Sequence, residues 1–191
     1  AFPGEFKRIL KTLNESLLRE SLLRILSQRF FKLIQGFFEI AETAPRKAIR
    51  VNTLKISAAE LKKRLDEKKW TLRQPFKKHP EIMIVDSVLV PGELGRSIEH
   101  LLGYYYIQEI TSMIPIIVLY PLEGELLLDL CASPGSKTTQ AAALMQNRGT
   151  IIANDVSMRR ISILIANLER CGVSNIVVTR HGGIELAEKL I

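Results

Sequence analysis

Residues 126–140 read LLLDLCASPGSKTTQ, an apolar run followed by a short polar turn that contains proline and glycine. The apolar run predicts a buried strand, and the segment from Lys137 onward predicts a helix. A strand that enters a helix through a tight turn leaves free backbone N–H groups beside the helix N-terminus, where a nucleotide-like ligand can bind. This stretch therefore predicts the fold class and the position of a ligand site together.

Strands and helices alternate around this stretch and predict an α/β domain with a parallel, doubly wound sheet. We expect strands at 126–130, 150–154 and 176–179, and helices at 112–119, 137–146 and 157–171. Gly172 follows the last of these helices, at the position where a glycine commonly ends a helix.

The first part of the chain predicts helices followed by a small α+β module. Apolar residues at three- and four-residue steps predict helix over 5–40, with a break near Asn14–Ser16 or at Ser27. Beyond Pro45 we expect strand 50–54, a helix opened by the capping box 57–60, strands 71–76 and 82–85, helix 97–102 and strand 104–108. This β-α-β-β-α-β order is ferredoxin-like, as in RNA-recognition modules.

The predicted helices and strands divide the chain into three regions. They are a helical segment (1–45), an α+β module of the RNA-recognition type (46–110) and the first part of an α/β domain (111–191). Because no flexible linker separates the last two regions, we expect them to pack tightly.

The positive charge lies in the first part of the chain. The formal net charge is +7; residues 1–120 hold 20 Lys/Arg against 13 Asp/Glu, whereas residues 121–191 hold 7 of each. Such asymmetry is typical of a basic region that meets a polyanion, beside a neutral region with another role. A solvated surface with surplus lysines would give the same count, and this alternative stays open.

The composition argues against a membrane protein, a secreted protein and a protein with disulfides or a metal site. No apolar stretch reaches the roughly 18 residues that a membrane helix needs, and the first residues lack the basic-then-apolar order of a signal peptide. Cys131 and Cys171 have no paired-motif spacing, and the three histidines form no evident pair. We therefore expect no disulfide, no metal, no membrane and a cytoplasmic location.

The turn lacks the glycine patterns that bind ATP or NAD. Ser136 precedes Lys137 where a P-loop needs glycine, and no Gly-x-Gly-x-x-Gly occurs. Asp155 ends the next predicted strand, where doubly wound folds carry the acid that binds ribose hydroxyls. A turn without a phosphate motif, combined with a ribose-binding acid, favours S-adenosylmethionine as the cofactor.

Three motifs resemble those of the Sun/Fmu-type RNA (cytosine-C5) methyltransferases. Residues 129–138 (DLCASPGSKT) are similar to the cofactor motif D-x-C-A-A-P-G-G-K-T. Residues 50–55 (RVNTLK) match the R-x-N-T-L-K stretch of the N-terminal RNA-binding module, and residues 103–109 (GYYYIQE) resemble its G-x-x-Y-x-Q-E/D segment. The motifs occur in the order found in the family, and the resemblance covers about residues 46–180.

The resemblance implies a Rossmann-like methyltransferase domain, incomplete here, that binds S-adenosylmethionine through the turn, Asp155 and Arg160. The turn residues concerned are Cys131, Ala132, Ser133, Pro134, Gly135, Ser136 and Lys137. Ser133 and Ser136 replace the alanine and glycine of the family, and both are small. Residues 180–183 (RHGG) lack the acid that the family usually carries after its third strand.

The resemblance also assigns RNA binding to the α+β module. The residues concerned are Arg46, Lys47, Arg50, Asn52 and Lys55. Because RNA carries a dense backbone charge, cations in this stretch would contact its phosphates.

The resemblance places the catalytic step outside this sequence. The family attacks C6 of cytosine with a cysteine thiolate and uses a second cysteine for product release, from D-A-P-C-S-G and T-C-S segments that do not occur here. We therefore expect no catalytic residue in this chain, and we expect both cysteines to lie C-terminal to Ile191. We expect Cys131, inside the cofactor turn, to pack as a small apolar residue.

These features together favour the N-terminal portion of an S-adenosylmethionine-dependent RNA cytosine-C5 methyltransferase that acts as a monomer on transfer RNA. Ribosomal RNA is the second candidate substrate. Two other classes stay open. One is a non-catalytic RNA-binding module that keeps a cofactor-like turn, and the other is a small-molecule methyltransferase, against which the basic first part argues.

Overall fold

The computed structural model describes residues 16–41 and 46–190, and the chain separates into two compact units, residues 1–45 and 46–191. In the first unit, α1 (Ser16–Ala41) is one continuous helix, so the predicted break at Ser27 is wrong. The Ser27 hydroxyl donates to the carbonyl oxygen of Arg24 (2.9 Å), a local bond that a helix can accommodate without ending.

Several positions singled out in the sequence lie outside the described residues. They include the first part of the predicted helix 5–40, with most of the alternative break near Asn14–Ser16. They also include Ile191, beyond which the catalytic cysteines are expected. The structure therefore does not test the expectation about these cysteines, which stays a prediction.

The second unit contains two sheets and seven helices within residues 46–190. The strands are β1 (Ala48–Val51), β2 (Leu72–Arg73), β3 (Ile82–Val85), β4 (Tyr105–Ile107), β5 (Leu126–Asp129), β6 (Thr150–Asn154) and β7 (Ile176–Thr179). The helices are α2 (Ala58–Glu67), α3 (Glu93–Arg96), α4 (Ile98–Leu101), α5 (Ile110–Leu119), α6 (Ser136–Leu144), α7 (Met158–Cys171) and α8 (Gly183–Leu190).

The first sheet has the order β2-β3-β1-β4, and every neighbouring pair is antiparallel. β1 and β2 therefore run parallel with β3 between them, which is the split β-α-β arrangement expected from the sequence. Ser57 caps α2 as predicted, because its hydroxyl accepts from the backbone N–H of Glu60 at the start of the helix. β2 is shorter than the predicted strand 71–76, and Pro75, which has no N–H to donate, lies just beyond its end.

Both faces of this sheet are buried. On one face, Ile49, Met83 and Tyr105 pack with Leu61 and Leu65 of α2. On the other face, Ala48 and Ile82 pack against Met113 of α5, with Ile110 and Ile117 beside them. RNA-recognition modules stack bases on an open sheet face. That face is covered here, so the sheet itself does not offer the RNA platform that the module type suggested.

The second sheet is parallel, with the order β5-β6-β7. Its buried face packs against α6 through Ile151, Ala141 and Met145 and against α7 through Ala153, Leu164 and Leu168. The two crossovers, from β5 to β6 through α6 and from β6 to β7 through α7, step in the same direction across the sheet. Since such crossovers are right-handed, α6 and α7 lie on the same face of the sheet over the described residues. Helices on the other face would come from a further half of such a sheet, so the doubly wound arrangement stays a prediction. Leu126, Leu128 and Val177 are exposed.

The module packs closely against the C-terminal end of α7. Gly103 has a φ of +72°, and a Cβ atom built on it would lie 1.8 Å from the carbonyl oxygen of Arg170. No residue with a side chain fits at this position, because both the left-handed backbone and the contact exclude it. The tight packing expected between residues 46–110 and the parallel-sheet part is therefore present at this contact.

Candidate cofactor site

The turn between β5 and α6 exposes some of its residues and buries others. Ala132, Ser133 and Gly135 are buried, Ser136 and Lys137 are half-buried, and Cys131 and Pro134 are exposed. Gly135 caps α6 with a φ of +101°, and a Cβ there would lie 3.0 Å from Cδ1 of Leu164. The turn therefore requires glycine at this position, and it presents the first N–H groups of a nine-residue helix.

Asn154 aligns the carboxyl ends of the three parallel strands. Its buried amide nitrogen donates to the carbonyl oxygens of Leu130 (3.1 Å) and His181 (2.9 Å). Its amide oxygen accepts from the Thr179 hydroxyl and the His181 N–H. The carbonyl oxygen of Asn154 also accepts from the N–H of Ala132 (2.8 Å), which ties the turn to β6. The sequence reasoning did not single out Asn154, although its position immediately before Asp155 was a usable signal.

Asp155 and Arg160 lie together beside the turn. One oxygen of the buried Asp155 carboxylate accepts from the N–H of Ser157, and the other lies 3.2 Å from Nη2 of Arg160. The same Nη2 donates to the carbonyl oxygen of Ser133 (2.8 Å), and the Ser133 hydroxyl donates back to the carbonyl oxygen of Arg160 (2.7 Å). Since an ionised carboxylate has about four acceptor positions, about two are not used by these protein donors.

Two further acids lie near the carboxyl ends of the parallel strands. Asp129, at the end of β5, accepts from the Thr138 hydroxyl of α6 at 2.7 Å. Residues 180–183 carry no acid, as the sequence indicated, but Oε1 of Glu185 in α8 lies 3.2 Å from Nδ1 of His181. A carboxylate is therefore present near the end of β7, and it comes from a helix rather than from the strand end.

Cys131 is exposed on the turn, so the expectation that it packs as a buried apolar residue is not met in this structure. Cys171 is buried at the end of α7, and burial raises the pKa of its thiol. Among the described residues, no group of three or more His, Cys, Asp or Glu side chains is arranged to hold a metal ion. No helix in the described ranges is long and apolar enough to cross a membrane.

Arg50 joins the module to the turn. Its side chain is buried, and its guanidinium donates to the Gln108 side chain, the carbonyl oxygen of Ser136 (2.6 Å) and the Thr139 hydroxyl (2.8 Å). Burial lowers the pKa of Arg50 to about 10, so it stays a cation at neutral pH. A buried guanidinium with protein partners does not face an RNA phosphate, and the prediction that Arg50 binds RNA is corrected on this ground.

The side chains of Asn52 and Lys55 also form hydrogen bonds with groups of the protein. The buried Asn52 amide donates to the carbonyl oxygens of Gly103 (2.8 Å) and Cys171 (2.7 Å), so its assignment to RNA is corrected as well. The ammonium of Lys55 donates to the carbonyl oxygens of Leu102 (3.0 Å) and Arg170 (2.8 Å), a favourable place for a cation at the C-terminal end of α7. Arg46 and Lys47 are exposed, and their role in RNA binding stays a prediction.

Tyr106 makes a second connection between the module and the turn. Its hydroxyl donates to the carbonyl oxygen of Pro134 (3.1 Å), which also accepts from the Asn167 amide of α7 (2.8 Å). The guanidinium carbons of Arg50 and Arg170 each lie 5.5 Å from the centroid of the Tyr106 ring. The motifs 50–55 and 103–109 therefore hold the module against the cofactor turn and α7, a role that their sequence pattern alone did not reveal.

The parallel sheet, the turn and the acid beside it define the first part of a Rossmann-like methyltransferase domain. Residues 116–190 match the family model described as 16S rRNA methyltransferase RsmB/F, and residues 19–110 match that of the N-terminal domain of 16S rRNA methyltransferase RsmF. The chain therefore belongs to the RsmB/F family, the Sun/Fmu-type methyltransferases.

Individual relatives agree with this family. The chain is 44% identical over 153 residues to ribosomal RNA small subunit methyltransferase F of Vibrio cholerae, covering 78% of this chain and 32% of the relative. It is 43% identical over 151 residues to the protein of the same name in Psychromonas ingrahamii, covering 76% and 31%. A methyltransferase homolog protein from Pyrococcus horikoshii superimposes with a TM-score of 0.72 at 35% identity, covering 80% of this chain and 49% of that one.

The relatives also bear on the substrate and on the extent of the chain. The chain spans about a third of the length of the curated relatives that it matches. Their names specify ribosomal RNA, so these relatives do not support the preference for transfer RNA.

His100 makes the contact between the module and α7 sensitive to acid. Nη1 of Arg170 donates to the carbonyl oxygen of His100 (2.8 Å), and Nδ1 of His100 is buried without a hydrogen-bond partner within residues 46–190. Burial and then the charge of Arg170 lower the pKa of His100 from 6.5 to about 4. Between these values the unfolded chain binds a proton that the folded chain does not.

The free energy of unfolding should therefore fall as the pH is lowered from 6.5 to about 4. His100→Phe keeps a ring and removes the titration, so its unfolding free energy should fall less over this range. Urea unfolding of both proteins at several pH values measures the difference. The same pH dependence in both would show that His100 does not contribute.

Proposed function

We propose that this chain is the cofactor-binding and RNA-positioning part of an S-adenosylmethionine-dependent ribosomal RNA (cytosine-C5) methyltransferase. The observation that carries the proposal is the turn 131–137 held beside Asp155 and Arg160 at the carboxyl ends of parallel strands. The names of the relatives favour ribosomal RNA as the substrate. The choice of C5 of cytosine rests on the resemblance of the motifs to the Sun/Fmu-type enzymes.

The groups around the turn fit S-adenosylmethionine by their chemistry. The cofactor carries two ribose hydroxyls, an ammonium group and a carboxylate. Asp155 has acceptor positions left for the hydroxyls, and Asp129 is a second carboxylate at a strand end. Lys137 and the first N–H groups of α6 suit the cofactor carboxylate. When bound, S-adenosylmethionine supplies the methyl group that is transferred to the base.

The residues of this chain would bind and orient the two reactants. Arg160 holds the Asp155 carboxylate and the carbonyl oxygen of Ser133 in one place, so that the ribose acid and the turn keep a fixed spacing. The basic module would hold the RNA backbone, and the target base must be unstacked to reach the methyl donor. We assign the attack on C6 of cytosine to no residue of this chain.

Asp155→Ala should weaken S-adenosylmethionine binding by on the order of 2–4 kcal/mol, because two hydrogen bonds to a carboxylate are lost. Titration calorimetry on the 191-residue chain measures this loss, and circular dichroism checks the fold. Asp66→Ala is the matched control, since Asp66 is an exposed acid paired with Lys62 on α2.

Unchanged affinity in a folded Asp155→Ala variant would remove Asp155 from the site. If the unaltered chain binds RNA but not S-adenosylmethionine, the non-catalytic RNA-binding module replaces the proposed function.

Arg46→Gln and Lys47→Gln should each weaken binding of a short single-stranded ribosomal RNA fragment, because each removes an exposed cation of the module. The slope of the logarithm of the binding constant against that of salt concentration should decrease by about 0.7 for each lost phosphate contact. Fluorescence anisotropy over a salt series measures this slope.

Arg148→Gln is the control, because Arg148 is an exposed arginine outside the module that pairs with Glu123. A change of slope as large in Arg148→Gln as in Arg46→Gln would indicate general charge attraction rather than a defined RNA contact.

A further inference from the structure

We infer that Tyr106 and Arg50 are positioning residues for the cofactor turn, so that the α+β module holds the turn in its binding conformation. The inference rests on the proposed function, because it concerns the same cofactor site. It extends that function by assigning to the module a role in cofactor binding, in addition to the role in RNA binding that its charge suggests.

The side chains of the module fix the carbonyl groups on both sides of Gly135. The Tyr106 hydroxyl donates to the carbonyl oxygen of Pro134 (3.1 Å), and Nη1 of Arg50 donates to that of Ser136 (2.6 Å). Arg50 contacts the carbonyl of Gly135 only indirectly, through the Thr139 hydroxyl. Nη2 of Arg50 donates to the Thr139 hydroxyl (2.8 Å), which donates to the carbonyl oxygen of Gly135 (2.7 Å).

Three consecutive carbonyl groups are therefore held, directly or through Thr139, by two side chains of the module. In a planar trans peptide the C=O and the following N–H point in opposite directions. The carbonyl oxygen of Gly135 also accepts from the backbone N–H of Thr139 (2.9 Å), so this carbonyl points along α6. The N–H groups of Ser136 and Lys137 point the opposite way, out of the N-terminus of the helix, and the bonds from Arg50 help to keep them there. These N–H groups belong to the first turn of α6, where a ligand carboxylate would bind.

Tyr106 is well suited to this role. Its ring lies close to the guanidinium groups of both Arg50 and Arg170, each 5.5 Å from the centroid, and these two contacts restrict the ring. Its side chain is largely buried, and burial raises the pKa of the hydroxyl, so that the group remains a donor at neutral pH.

A pair of adjacent tyrosines provides the test. Tyr106→Phe removes the bond to the turn, whereas Tyr105→Phe removes a buried bond to the carbonyl oxygen of Leu94 (2.6 Å) that lies wholly within the module. Both variants lose one hydroxyl that donates to a backbone carbonyl, so both should lower the melting temperature. Only Tyr106→Phe should alter the turn.

The first readout needs no cofactor. Amide hydrogen exchange of a peptide spanning 131–139 should be faster in Tyr106→Phe than in the unaltered chain and unchanged in Tyr105→Phe. Arg50→Lys, which keeps the charge but lacks the fork of donors, should also speed exchange in this peptide. Equal exchange rates in Tyr106→Phe and Tyr105→Phe would overturn the inference.

The second readout is calorimetry with S-adenosylmethionine. The dissociation constant should rise about five- to tenfold in Tyr106→Phe, as expected for one hydrogen bond, and by less than about twofold in Tyr105→Phe. Absence of cofactor binding in the unaltered chain would count against the proposed function, and the exchange readout would still decide whether Tyr106 and Arg50 hold the turn. An equal rise in both tyrosine variants would overturn the positioning role.

Discussion

The buried guanidinium of Arg50 is the interaction on which the second unit depends. Removing a cation from water costs several kcal/mol unless its donors find partners. Here the Gln108 side chain and the Ser136 carbonyl accept from Nη1, and the Thr139 hydroxyl accepts from Nη2, while Nε has no partner among the described residues. Gln108 belongs to the module, and Ser136 and Thr139 belong to the first turn of α6. The charge of Arg50 is therefore stabilised only when the module and α6 are packed together.

The burial of Arg50 restricts the surfaces of the module that RNA could contact. The sheet face that carries Arg50 is covered by α5 and α6, so RNA would have to contact the outside of the module, where Arg46 and Lys47 are exposed. Because the module and the cofactor turn pack together within residues 46–190, an RNA bound to the outside of the module would lie at a fixed distance and orientation relative to the turn. The close contact of Gly103 with α7 and the bonds of Asn52 and Lys55 maintain the same geometry on another side.

Local patterns predicted much of this arrangement and missed its long-range contacts. The β-α-β-β-α-β order, the turn and the proximity of Asp155 to it followed from periodicity and motif spacing, because these depend on neighbouring residues. The role of Arg50 did not follow, since β1 reads Ala-Ile-Arg-Val and such alternation normally places a charge toward solvent. Its partners Ser136 and Thr139 lie 86 and 89 residues away in sequence. The choice between ribosomal and transfer RNA as the substrate was likewise not readable from local residues.

The most direct test of this account is a double-mutant cycle of Arg50→Met and Thr139→Val, with the free energy of unfolding measured by urea denaturation. If the guanidinium joins the module to the turn, the two substitutions should be coupled by at least about 1 kcal/mol, as residues in contact are. Additive effects, within about 0.5 kcal/mol, would contradict the account, because they would mean that the module and the cofactor turn are held together by other contacts.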